Sequence, residues 1–203
     1  MRKLVVFTMI SLDGVMQSPG GLKEDDSQGF KYGGWTAPYV DGSLGDIIDK
    51  EVSEPLDLLL GAKTYEIFAG YWPKQSGTIA DAFNKARKYV VSDGHIDASW
   101  KESVLINHDV VAKIEALKKE DGPTLQVWGS GKLVQTLLKN DLIDELRLRT
   151  FPVTIGAGKR LFAEGTLPST FELIETGALS NGIIIANYKR AGELKTGTLG
   201  DRL

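Results

Sequence analysis

The sequence predicts an α/β fold with a largely parallel central sheet, and three observations support this. Short runs rich in Val, Ile and Leu alternate with helical patterns along most of the chain, which requires crossover connections between parallel strands. Near the carboxyl terminus the alternation stops at Ser180-Asn181-Gly182, and an Asn-Gly pair is a strong hairpin signal. The 203 residues, 42% hydrophobic and 25% charged, have the composition of one globular domain.

The predicted elements follow from these patterns in chain order. Strands are predicted at residues 3–10, 56–60, 88–92, 103–106, 124–128, 145–151, 171–176 and 182–189, which makes a sheet of about eight strands ending in an antiparallel hairpin. Helices are predicted at residues 44–52, 64–68, 79–86, 110–119 and 132–139, with Asp109 as the N-cap of the fourth. We expect a single domain over residues 1–190 and a polar, poorly ordered tail over 191–203.

Composition and charge exclude several classes of function. The formal net charge is −3 and no basic stripe is visible, so we expect no nucleic acid partner. Cysteine is absent, which excludes disulfides, a thiolate nucleophile and Cys-ligated zinc, and fits the cytoplasmic location that we expect. The first apolar run is too short to span a bilayer, so no membrane association is expected. His95 and His108 are too isolated to indicate a metal site.

Two long segments without a helical or strand pattern are predicted to be binding loops. They span residues 13–39 and 152–165, and a compact domain seldom carries segments of this length without a function. Trp35 in the first of them could stack on a planar substrate, although aromatic side chains more often belong to the core.

Two strand-to-helix corners carry the residues expected around a bound phosphate. Gly61-Ala62-Lys63-Thr64 follows one predicted strand, and Gly129-Ser130-Gly131-Lys132 follows another. Glycine lets the backbone approach a ligand, and the start of a helix offers free N–H groups and a positive dipole end. A single such corner is common turn chemistry, but two of the same type favour a binding site.

Familiar phosphate motifs do not describe the second corner. A P-loop would have Ser or Thr at the position of Leu133, where the hydroxyl holds magnesium. The dinucleotide fingerprint would have its third Gly at Val134. Neither ATPase chemistry nor an ordinary Rossmann site is therefore predicted.

The order and spacing of four segments resemble the dihydrofolate-reductase-like superfamily over nearly the whole chain. The chain is most similar to the reductase domain at the carboxyl end of bifunctional riboflavin-biosynthesis deaminase-reductases. The deaminase half of such enzymes needs cysteines, so the resemblance is to a reductase domain alone. The four segments are Ser11-Leu12-Asp13-Gly14-Val15, Leu60 to Glu66, Val127 to Leu133, and Ile143 to Leu148 leading to Pro152 to Gly158.

The resemblance implies a three-layer α/β/α fold, NADPH as hydride donor and a homodimer in which the strand at 145–151 contributes to the dimer face. Folate reductases commonly carry Arg where Ala62 stands, which leaves NADH as an alternative donor. By position, the cofactor-binding residues are Gly61, Ala62, Lys63, Thr64, Ser92, Gly129, Ser130, Gly131, Lys132 and Leu133. The implied substrate-side residues are Ser11 and Gly14 in the loop after the first strand, and Trp35 is added as a substrate-binding candidate for its stacking capacity.

Three carboxylates are candidate catalytic groups. By family analogy the proton donor lies on the first helix, where counting reaches Asp46, with Asp49 one turn later on the same face. That face is opposite the apolar residues of the helix, so it is either a solvated face or the wall of the cleft. Asp13 belongs either to a tight Asp-Gly turn or to the site.

The leading hypothesis is an NAD(P)H-dependent reductase of a small heterocycle, either pterin- or folate-like or a ribosylaminopyrimidine. One alternative is a non-catalytic, nucleotide-binding or regulatory homodimer with the same fold. Another is a reductase that uses a deazaflavin as hydride carrier. Fold analogy does not decide among them, because one fold hosts many functions.

Overall fold

The computed structural model describes residues 1–200, which form one eight-stranded sheet flanked by helices. The strands are β1 Leu4–Ser11, β2 Leu56–Gly61, β3 Lys88–Val91, β4 Ser103–Ile106, β5 Thr124–Trp128, β6 Glu145–Phe151, β7 Ser169–Ala178 and β8 Ile184–Glu193. The helices are α1 Gly42–Glu51, α2 Ala62–Tyr71, α3 Thr78–Lys85, α4 Val110–Lys119 and α5 Gly131–Lys139. Short 3-10 helices lie at Ser27–Gly29, Ala37–Tyr39 and Trp72–Lys74.

The strand order is β4-β3-β2-β5-β1-β6-β8-β7. In this order, the strands from β4 to β6 pair in parallel. Strand β8 pairs antiparallel with both of its neighbours, β6 and β7. The predicted fold class is therefore confirmed. Strand β1 lies at the centre, with β5 on one side and β6 on the other, so the carboxyl ends of β3, β2, β5, β1 and β6 share one edge.

Helices cover both faces of the sheet, which gives the predicted three layers. Alternate residues of β1 point to opposite faces, as the pleat requires. Leu4 and Val6 pack with α4 and α5, whereas Phe7 packs on the other face with α2 and α3. Within residues 1–200, no helix is long and apolar enough to cross a bilayer.

The carboxyl-terminal hairpin extends further than predicted. Gly182 has φ +87° and makes the expected turn, but β7 and β8 span ten residues each. Backbone pairing of Ser169 with Glu193 keeps polar residues in the strand, so residues 191–193 belong to the sheet and the predicted tail boundary at 190 is wrong. Residues 194–200 have no helix or strand, and 201–203 lie outside the described residues.

Strand β6 lies between β1 and β8, so it is not an edge of the sheet; the free edges are β4 and β7. Its contribution to a dimer face stays a prediction. The prediction that Asp109 caps α4 is corrected. Asp109 stands at the N-cap of α4, but its φ is +50° and its carboxylate accepts no N–H from the helix. It contacts His108 Nδ1 at 3.0 Å instead. Asp41 caps α1 by accepting the Leu44 N–H at 3.1 Å.

Candidate cofactor and substrate site

The two predicted phosphate corners lie side by side. Strands β2 and β5 are neighbours, so the turns that follow them meet at the same edge of the sheet. The Gly61 N–H donates to Ser130 Oγ at 3.0 Å, which joins one corner directly to the other. Helix α2 begins at Ala62 rather than at the predicted residue 64, directly after this contact. The starts of two helices are therefore presented to one region of space.

Free N–H groups and lysines make this region electropositive. The first internal bond of α5 runs from Val134 N to Ser130 O at 2.9 Å, which leaves the N–H groups of residues 131–133 without a partner in their own helix. The first turn of α2 is open in the same way. Lys63 and Lys132 are exposed beside these turns, and Lys132 Nζ contacts Asp93 Oδ2 at 2.7 Å.

The backbone at the second corner leaves room for a ligand. Gly129 and Ser130 have φ +66° and +60°, a left-handed conformation that costs little for glycine. A Cβ placed on Gly129 would have nothing within 4 Å. The side chain of Leu133 is buried in the core at 4% exposure, so this residue offers only its backbone N–H.

Ser92 directly follows β3, the next strand along this edge of the sheet, and its hydroxyl closes a local turn. Ser92 Oγ donates to the Gly94 carbonyl at 3.1 Å and accepts the Gly94 N–H at 3.2 Å. Contact of Ser92 with the cofactor stays a prediction. The neighbouring Asp93 reaches the second corner through Lys132.

Ser11, at the end of β1, holds the loop that follows it. Its side chain is fully buried; Ser11 Oγ donates to Asp13 Oδ1 at 2.6 Å and accepts the Val15 N–H at 2.9 Å. The Ser11 backbone bonds to Val15 and Gly14. Its polar groups are engaged inside the loop, and contact of Ser11 with a substrate stays a prediction.

Asp13 binds the loop after β6. Its carboxylate accepts the N–H groups of Ile155 at 3.0 Å and Gly156 at 2.8 Å. The Ser11 hydroxyl and then the Ile155 N–H lower the pKa of Asp13 to about 2, against an opposing effect of burial. A carboxyl group with this pKa is ionised at neutral pH and cannot act as a proton donor there. The geometry thus favours the turn interpretation of Asp13 over a role as general acid.

Gly14 and Trp35, the other predicted substrate-side residues, lie on the same loop system. Gly14 has φ +80°, with open space where a Cβ would stand, and its carbonyl accepts the Leu161 N–H at 2.9 Å. The Trp35 indole N–H donates to the Gln17 carbonyl at 2.9 Å, and its ring packs edge-on against Phe151. Contact of either residue with a substrate stays a prediction.

Gln17 holds the loop after β1 in place, a role that the sequence does not predict. It is 3% exposed, and its amide Nε2 donates to the carbonyls of Asp25 and Ser27 at 3.1 Å each. Gln17 Oε1 accepts the Lys159 N–H at 2.9 Å. The 13–39 loop is thus pinned to the 152–165 loop rather than left free, and no sequence motif marks the glutamine that does this.

Asp46 and Asp49 both lie exposed on α1. Leu44, which packs against Phe151, points to the opposite side of the helix. Asp49 Oδ2 accepts from Thr78 Oγ1 at 3.4 Å, so it faces α3. These observations favour the solvated-face alternative for both carboxylates, and a role in proton transfer stays a prediction.

Two cavities lie away from the paired corners, one at the amino-terminal edge of the sheet and one over β6, β7 and β8. One of about 490 Å³ is bordered by the Arg2–Asp57 ion pair. The other, of about 420 Å³, is bordered by Glu51 and Arg147, which also pair with each other. Across residues 1–200, the structure contains no group of three or more His, Asp or Glu side chains placed to hold a metal ion.

Comparison with known proteins gives matches over almost the full length. A family model described as the RibD C-terminal domain matches residues 2–185. The uncharacterized protein YyaP of Bacillus subtilis (strain 168) is 25% identical over 195 residues, spanning 92% of this chain and 94% of YyaP. A pyrimidine reductase-like protein from Corynebacterium diphtheriae superposes with a TM-score of 0.67 at 13% identity, covering 95% of this chain and 93% of that one. Dihydrofolate reductase from Enterococcus faecalis, solved with NADP(H), gives 0.58 at 13% identity, covering 93% and 96%.

The central sheet and its paired corners define an α/β domain with the fold of dihydrofolate reductase. Within that class, the chain belongs to the RibD C-terminal domain family. The resemblance drawn from the four sequence segments is thereby confirmed.

Proposed function

We propose that the protein is an NAD(P)H-dependent reductase that transfers a hydride to a small heterocycle, either pterin- or folate-like or a ribosylaminopyrimidine. The observation that carries the proposal is the contact between the two phosphate corners, from the Gly61 N–H to Ser130 Oγ. Membership of the RibD C-terminal domain family supports the reaction class. The relatives described as a pyrimidine reductase-like protein and a dihydrofolate reductase support the two substrate classes.

The residues at the corners fit a phosphorylated dinucleotide. The free N–H groups at the starts of α2 and α5 would donate to the pyrophosphate, and the open space beside Gly129 admits it. Lys63 and Lys132 would neutralise its charge. The bound nicotinamide would supply the hydride, and the loop after β1 would cover it. We expect NADPH as the donor, with NADH as the alternative because Ala62 carries no charge.

The proposal is tested by following oxidation of NADPH and of NADH with dihydrofolate and with 5-amino-6-(5-phosphoribosylamino)uracil as acceptors. Turnover with at least one acceptor is expected. If neither nucleotide binds at millimolar concentration, the reductase proposal fails. If a nucleotide binds but no acceptor of either class is reduced, the non-catalytic alternative is favoured. Reduction of an acceptor by a reduced deazaflavin, but by neither nicotinamide nucleotide, would favour the deazaflavin-dependent alternative.

Replacing Lys132 by alanine is expected to weaken NADPH binding about tenfold, since a hydrogen bond to a charged group contributes about 1.5–3 kcal/mol. Lys132 lies at the start of α5, and Lys139 lies at its end. The Lys139→Ala variant removes the same charge from the same helix and is expected to leave affinity within about twofold. Titration of tryptophan fluorescence with NADPH measures both, and equal affinities for the two variants would contradict the assignment.

A further inference from the structure

Asp13 connects two loops that leave neighbouring strands. It follows β1, and its carboxylate binds the backbone of the loop that follows β6. Oδ1 accepts both the Ile155 N–H and the Ser11 hydroxyl, and Oδ2 accepts the Gly156 N–H. The Arg160 guanidinium lies 3.6 Å from Oδ2 and is half exposed. Both carboxylate oxygens are thus occupied by donors from the protein.

The loop held by Asp13 reaches the second phosphate corner. Val15 forms an isolated bridge with Arg160, and the Met16 N–H donates to the Lys159 carbonyl at 2.9 Å. Beyond this bridge, Met16 Sδ lies 3.8 Å from the point where a Cβ of Gly131 would stand. Gly131 is the first residue of α5. The loop that places Met16 against the cofactor corner is thus held to the loop after β6 at several points, and Asp13 is the one nearest to the end of β1.

We propose that Asp13 is a positioning residue, whose carboxylate clamps the loop after β1 to the loop after β6 and thereby sets Met16 against the cofactor corner. This inference rests on the proposed function for its effect on turnover. The clamp itself is a property of the fold. A displacement of about 1 Å at a reacting group can reduce turnover by up to about 100-fold, so a clamp at this place has a large expected effect.

Asparagine has the shape of aspartate but cannot replace it here. Each carboxylate oxygen accepts a backbone N–H, so an amide would place an NH₂ group against the N–H of Ile155 or Gly156. Two facing donors repel each other and leave that backbone group without an acceptor. The Asp13→Asn variant therefore removes one of the two backbone acceptors of the clamp with almost no change in volume. Asp26→Asn is the matched control, because Asp26 lies exposed in the same loop and its side chain caps no helix.

The experiment measures kcat, KM and the pH profile of Asp13→Asn with NADPH and the acceptor found for the wild type. We expect kcat to fall about 10- to 100-fold, while the shape of the pH profile between roughly pH 5 and 9 is kept, because Asp13 is already ionised throughout that range. Asp26→Asn is expected to match the wild type. Wild-type kcat in Asp13→Asn would overturn the proposal, and so would loss of one limb of the pH profile, which would identify Asp13 as a proton-transfer group.

Amide hydrogen exchange of the full chain separates the clamp from the proposed function. In Asp13→Asn the amide of Ile155 or Gly156 that faces the new NH₂ group is expected to exchange at least about tenfold faster, and the NMR signal of the Met16 methyl group is expected to shift. If the wild type shows neither nucleotide binding nor turnover, the reductase proposal fails. Amide exchange and the Met16 methyl signal then still test whether Asp13 holds the two loops together. Unchanged exchange at both amides would overturn the proposed role of Asp13.

Discussion

Replacing Glu51 by alanine is expected to lower the free energy of unfolding by about 3–5 kcal/mol, the usual cost of leaving a buried charge without its partner. Glu51 ends α1, and its carboxylate binds both Arg147 and Arg149. The side chain of Arg149 is 1% exposed, and without Glu51 it would retain only Asn187 and the Leu148 carbonyl as acceptors. Burial lowers the pKa of Arg149, and the charge of Glu51 opposes that effect.

Urea unfolding followed by circular dichroism measures this loss. The matched control is Glu172→Ala, which removes a carboxylate from an ion pair with Lys189 in which both side chains are about half exposed. A surface pair of this kind contributes about 1 kcal/mol or less. If both variants lost the same stability, the buried network would not be a major source of stability in this fold.

Replacing Gly129 by alanine is expected to weaken NADPH binding about 100-fold. The added methyl group would enter the open space at the second corner, where the proposed pyrophosphate approaches the backbone. Loss of about two hydrogen bonds to a charged group, at about 1.5 kcal/mol each, corresponds to that change in affinity. Isothermal titration calorimetry with NADPH measures the effect.

Gly77→Ala controls for backbone strain. Gly77 precedes α3, has φ +105° and likewise has nothing within 4 Å of a built Cβ. An alanine there carries strain at least as large as at Gly129, but it lies beside α1, where Thr78 contacts Asp49, rather than at the corners. We expect Gly77→Ala to lose stability and keep its affinity for NADPH. Equal losses of affinity in the two variants would show that strain, not obstruction, is the cause.

Local patterns were sufficient to predict the elements and each corner separately. The alternation of strands with helices and the Asn181-Gly182 turn depend on neighbouring residues, and these predictions are confirmed. The limits of β8 are different, because Glu193 is in a strand only through its pairing with Ser169 on the other arm of the hairpin. A polar stretch of this kind carries no strand signal of its own.

Long-range contacts explain what the sequence did not reveal about the site. From the sequence, Asp13 is either a turn residue or a site residue, and its partners Ile155 and Gly156 lie 142 and 143 residues away. In the sequence, Glu51 does not differ from any other charged residue at the end of a helix. Its arginine partners, Arg147 and Arg149, lie 96 and 98 residues further along the chain. The contact between Gly61 and Ser130 likewise depends on β2 and β5 being neighbours, which is a matter of sheet order.

The most direct test of a nucleotide site at the paired corners is an amide NMR titration of the full chain with NADPH. If the nucleotide binds at the paired corners, the largest shifts are expected on residues 61–64 and 129–133, at the starts of α2 and α5. The amide signals of residues beside the cavity bordered by Arg2 and Asp57, such as Gly122, are predicted to keep their chemical shifts. Shifts centred on that cavity, or no shifts at saturating nucleotide, would contradict a nucleotide site at the paired corners.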